Sequence, residues 1–91
     1  MSAIHVGETI RIPCEVKPGP FSGEKFISFE TIDGVVSGFV EEKHLEQAGS
    51  RHFISGLVTE VKSDQLVVIV PGSFFQTNGI ATVARSVACA A

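Results

Sequence analysis

Between residues 9 and 16 the apolar side chains Ile10, Ile12, Cys14 and Val16 fall at every second position, with Arg11, Pro13 and Glu15 between them. Successive side chains of a strand point to opposite faces, so this spacing describes a strand with one face buried and one wet. Pro13 falls on the wet face and has no N–H to donate, which places an edge or a bulge at that point. Strand and turn signals then alternate along almost the whole chain. The pattern restricts the fold to the all-β class.

Residues 17–24 hold Pro18, Gly19, Pro20 and Gly23, too many breakers for a regular element, and read as an exposed loop. Residues 25–32 and 35–40 read as strands joined by Asp33-Gly34, a dipeptide suited to the positive φ angles of a two-residue hairpin turn. Residues 41–49 are rich in helix formers and end in Gly49, so one or two helical turns with a glycine C-cap are expected. Residues 52–62 and 65–70 form an expected antiparallel pair about Ser63-Asp64. The second is apolar from Leu66 to Val70, which predicts burial on both faces. A last strand is expected over 79–87, followed by a frayed tail over 88–91.

Ninety-one residues make one domain with a single modest core. The expected domain spans 1–91, with the ordered part at 8–87 and frayed ends. Five to six short antiparallel strands with one short helical turn suit a small closed or half-closed barrel, because closure removes exposed edges. A two-sheet sandwich is the alternative. The stretch Asp33-Gly34-Val35-Val36-Ser37-Gly38-Phe39-Val40-Glu41-Glu42-Lys43-His44-Leu45 resembles the hairpin strand and helical turn of Src-homology-3-type barrels, where a glycine, an aromatic and a valine precede a turn ending in an apolar residue. Similar stretches are met in oligonucleotide-binding barrels. The resemblance implies a small antiparallel barrel, SH3-like or OB-like. The peptide groove of Src-homology-3 domains relies on Trp and Tyr, and this chain has neither, so no ligand is implied.

All aromatic recognition must therefore use the seven Phe. Seven Lys and Arg stand against ten Asp and Glu, a net charge of −3, and the basic residues are scattered rather than clustered. Nucleic-acid binding leans on several phosphate contacts, so this balance counts against it without excluding a local groove. The polar start and the lack of a long apolar span point to a cytoplasmic protein with reduced thiols at Cys14 and Cys89, and no membrane partner is expected.

The strongest candidate site is Pro71-Gly72-Ser73-Phe74-Phe75-Gln76-Thr77-Asn78-Gly79, where two adjacent aromatics stand among small polar residues. Adjacent side chains of an extended segment face opposite ways, so Phe74 and Phe75 do not both enter one core; one is available to a partner. Gln76, Thr77 and Asn78 supply amide and hydroxyl groups beside them. The alternative is that a Phe caps the barrel while Asn78-Gly79 simply turns the chain. A second candidate surface is the Pro-Gly loop, with Phe21, Lys17, Lys25 and Arg51 as contacts for a nucleic acid. A third reading is a small enzyme with a site between subunits, using His44 or His52 as acid or base.

Other chemistries are weaker. His44 and His52 stand near Glu41, Glu42 and Glu46, but their spacing matches no compact metal motif, and no metal or cofactor is expected. Cys14 falls on the apolar face of its strand, where a thiol behaves as a small hydrophobe, and Cys89 is expected to be exposed. No catalytic residue is assigned. The leading expectation is a non-catalytic binding or assembly module that meets a second copy of itself, or another protein, through an exposed apolar loop or an open strand edge, with Phe74 and Phe75 as anchors and Gln76 and Asn78 at the rim.

Overall fold

The computed structural model describes residues 4–90, with side chains placed for residues 4–88. Six long strands follow the segments where period two is clearest: β1 (Thr9–Pro18), β2 (Glu24–Thr31), β3 (Gly34–Glu41), β5 (Arg51–Val61), β6 (Gln65–Ile69) and β8 (Ile80–Ala84). Three short strands join them: β4 (Leu45–Ala48), β7 (Ser73–Phe74) and β9 (Cys89–Ala90). All the pairings are antiparallel, in the order β7-β3-β2-β1-β5-β6-β8, with β4 also on β5 and β9 also on β1. The sheet curls into a half-barrel. The curl brings the β2–β3 turn to β8, where the Ile32 N–H donates to the Thr82 carbonyl at 2.9 Å.

β1 is shared between the two halves of this curl. Thr9 to Cys14 pair with β5, whereas residues 15–18 pair with β2 and Ile10 and Arg11 pair with β9. On the edge of β1 away from β5, between the β2 and β9 ladders, Ile12, Pro13 and Cys14 have no strand partner among the described residues. The missing N–H of Pro13 thus coincides with a break in pairing, as its chemistry requires.

The inward faces supply one core that includes Ile10, Ile12, Ile27, Ile54, Leu66, Val68 and Val83, each at most 1% exposed. No polar or charged residue is buried among the described residues, so nothing dilutes the apolar burial that holds the sheet curled. Phe53 is buried outside this core, on the outer face. The guanidinium groups of Arg11 and Arg51 lie 5.3 and 5.1 Å from its ring centre and shield it from water.

Several expectations change in the folded chain. Within residues 41–49 helical geometry covers only a 3-10 turn at Glu42–His44; from Leu45 the backbone pairs with β5 instead, and Gly49, at φ +63°, serves a tight turn between β4 and β5. A ladder to an already paired strand outweighs a weak local helix preference. The hairpin between β2 and β3 forms, but Thr31 pairs with Gly34, so Ile32 and Asp33 occupy the turn and only Gly34 takes a positive φ, +117°. The Thr31 hydroxyl clasps it, accepting from the Asp33 N–H at 3.1 Å and donating to the Gly34 carbonyl at 2.7 Å.

β6 is not buried on both faces: Leu66 and Val68 are fully buried, while Ile69 is 45% exposed on the outer side. Its outward neighbours Leu57 and Ile80 are apolar too, which produces an unbroken apolar run in a strand with one wet face. The last long strand ends at Ala84 and gives way to a 3-10 turn at Arg85–Val87. Beyond it the backbone of Cys89 and Ala90 pairs with β1 where a frayed tail was expected. The expected exposure of Cys89 and the fraying of residues 1–3 and 91 lie outside the described residues.

Candidate functional site: an outward aromatic triangle

β7 is only two residues long, and its place is set by Gly38 on β3. Gly38 pairs with Phe74, and a Cβ at Gly38 would lie 2.6 Å from the Phe74 Cα. Only a glycine lets the β7 backbone and the Phe74 ring come this close. Phe74 then turns inward, packs against the core and meets the Phe29 ring edge to face, with centroids 5.7 Å apart and planes at 90°.

Phe75 points the other way and is 67% exposed. Its N–H donates to the Ser37 carbonyl at 2.9 Å, and its ring lies 5.7 Å from Phe39 and 6.3 Å from Phe26. Phe26 and Phe39 are direct cross-strand partners on β2 and β3, 5.4 Å apart. The three rings form a triangle on the outside of the sheet. Phe39 stands edge to face to both neighbours, an arrangement that aromatic quadrupoles favour.

The turn that follows is tied down by its own polar groups. Gln76 Oε1 accepts the Ser37 N–H at 2.8 Å, so both backbone groups of Ser37 are taken by residues 75 and 76. The Thr77 hydroxyl donates to the Ile80 carbonyl. Residues 72–78 curl around an open hollow of about 750 Å³. Of the five residues singled out in this segment, Phe75, Gln76 and Asn78 are exposed, whereas Phe74 and Thr77 are half-buried and turned to internal tasks.

Phe26 and Phe39 escaped the sequence reading, although a signal for them exists. In β2 the buried positions are Ile27 and Phe29, which puts Phe26 on the same face as Ser28 and Glu30; in β3, Val36 and Val40 are buried, which puts Phe39 on the face of Ser37. An aromatic that shares a face with Ser and Glu is out of pattern, and the hairpin register sets the two opposite each other.

The residues expected around the Pro-Gly loop are spread among other duties. Phe21 is 72% exposed and Lys17 is exposed, but the Lys25 ammonium stands 3.9 Å from Glu42, and Arg51 covers Phe53. His52 lines a hollow of about 270 Å³ with Lys25, Glu42 and Glu46, and His44 is not part of that lining. Among the described residues, no group of three or more His, Cys, Asp and Glu is placed to hold a metal ion. Cys14 is half-buried and packs against the core, and burial pushes its thiol up to about 11, away from nucleophilic use.

No helix among the described residues is long and apolar enough to cross a membrane. No protein-family model matches the sequence, and no curated protein or solved structure matches it.

Proposed function

We propose that this chain is a non-catalytic assembly module, a small antiparallel barrel that associates with a second copy of itself through the outer face of β2, β3 and β7. The observation that carries this reading is the aromatic triangle with Phe75 at its apex, 67% exposed and braced on Phe26 and Phe39. A large ring held in one orientation loses little conformational freedom on burial, which is the property of an interface anchor. In a two-fold pair the same face meets itself, so Phe75 of each copy packs on the Phe26 and Phe39 rings of the other.

Gln76 holds Ser37 through its oxygen and keeps its amide NH2 for a partner, and Asn78 stands beside it at the rim. The barrel type that fits best is SH3-like, with an OB-like barrel second; the 3-10 turn at Glu42–His44, one residue after Gly38-Phe39-Val40, supports that choice. The module works in the cytoplasm, where thiols such as Cys14 stay reduced.

The test is solution mass by light scattering at two concentrations about tenfold apart, a spread that shifts a monomer–dimer equilibrium measurably. The unmodified chain is expected to approach twice its single-chain mass at the higher concentration. Phe75→Ser is expected to stay monomeric with a nearly unchanged denaturation midpoint, whereas Phe74→Ala should lose about 3 kcal/mol of stability through its lost core contacts. A chain monomeric at both concentrations overturns the proposal.

A further inference from the structure

Beyond Glu15 and Ser28 the ladder between β1 and β2 comes apart, and the diverging strands leave a cleft of about 440 Å³. Its apolar lining includes Ile12, Cys14, Val35 and Val87. Its only charged groups are the carboxylates of Glu15 and Glu30, with the Ser28 hydroxyl between them in sequence and hydrogen-bonded to Ser37 at 3.0 Å. Glu15 pairs across with Ser28, and Glu30 stands two residues further along the same face of β2, about 7 Å on. Neither carboxylate has an ion-pair or hydrogen-bond partner among the described residues. By contrast Glu41, Glu42 and Glu46 each face a cation.

We infer that this cleft, which opens beside the aromatic triangle on the same outer face of β2 and β3, is a binding site for a small amphipathic amine. The volume falls in the range of small-ligand pockets, and the apolar wall takes a hydrocarbon body. Two unpaired carboxylates at the lip select a cationic head, repel an anion and leave a neutral analogue with the apolar contact alone. Ser28 offers a further acceptor to an ammonium group. The site exists because β1, paired with β5 on one edge, has no strand partner on its other edge at Ile12, Pro13 and Cys14, so the cleft is built into the pairing scheme rather than into a loop.

The experiment is a titration of the 15N-labelled chain, followed by amide chemical shifts at neutral pH, with n-hexylamine, n-hexanol and hexanoate in parallel. n-Hexylamine is expected to saturate, with shifts concentrated at residues 12, 14, 15 and 28–30. n-Hexanol should bind about five- to tenfold more weakly, since two partly exposed ion pairs are at stake, and hexanoate should not bind. Glu15→Gln with Glu30→Gln should bring n-hexylamine down to the level of n-hexanol. Both positions are exposed, and the amide spectrum itself reports whether the variant is folded. In the unmodified chain, raising salt from about 20 to about 500 mM should weaken n-hexylamine and leave n-hexanol unchanged. Equal affinities for amine and alcohol, an unaffected double variant, no saturation, or shifts centred elsewhere would each overturn the inference.

Discussion

Cys14 carries a consequence for alkaline pH. Its thiol is pushed up to about 11 by burial, whereas in the unfolded chain it ionises near the ordinary thiol value of about 8.5. Below that ordinary value both states keep the proton, and the contribution of the neutral buried thiol is fully present. As pH rises toward about 11 the unfolded state releases a proton that the folded state retains, so stability falls. The stability difference between the unmodified chain and Cys14→Ala, measured by urea unfolding, should therefore shrink between about pH 8 and pH 10.5. A difference that stays constant would remove Cys14 from the alkaline response. This residue was legible in the sequence, because its place in the alternation of β1 already puts it on the apolar face. The orientations of Phe74 and Phe75 were half legible: period two says that they diverge, but which one turns inward depends on Phe29 and on the glycine at position 38, both far away in the chain.

At the scale of elements, β7 depends on a single absent side chain. Gly38→Ala would set a methyl group against the Phe74 backbone and ring, an overpacking that should cost about 1–3 kcal/mol. The loss should show as a lower denaturation midpoint and as faster amide exchange at Phe75, whose N–H is held by the Ser37 carbonyl. A Gly38→Ala chain with unchanged midpoint and unchanged exchange at Phe75 would mean that β7 gives way without cost. Short strands of this kind were invisible to sequence reasoning. β4 lies in a stretch of good helix formers, and β7 and β9 are two residues each, so all three owe their conformation to a partner rather than to local preference. The long strands were legible because each carries its own alternation, and the β2–β3 hairpin because Asp33 and Gly34 carry a turn signal. The exact turn was missed by one residue, since the Thr31 clasp and the Ile32 bond to Thr82 draw Ile32 into it.

For the molecule as a whole, the β2–β3 turn is held to β8 by the Ile32 to Thr82 hydrogen bond, while β6 is flanked by β5 and β8 along its length. Hydrogen exchange should rank accordingly: the Ile32 amide should exchange by local opening well before Leu66, which is fully buried in β6. Similar protection at the two would make this contact part of the global unfolding unit. The curvature itself was legible as a way to hide edges; the split between β1 and β2, and hence the cleft with Glu15 and Glu30, was not, because it arises where three ladders compete for one strand. The same arrangement sets how the molecule responds to pulling. β9 runs antiparallel to the start of β1, with Ile10 against Ala90 and Arg11 against Cys89, so tension applied before Ile10 and after Ala90 draws the two strands apart sideways. Hydrogen bonds of an antiparallel ladder lie across the strands and are then loaded one pair at a time, like the teeth of a zip, rather than sheared together. Along that axis the molecule yields at low force, and β9 is the first piece to come away.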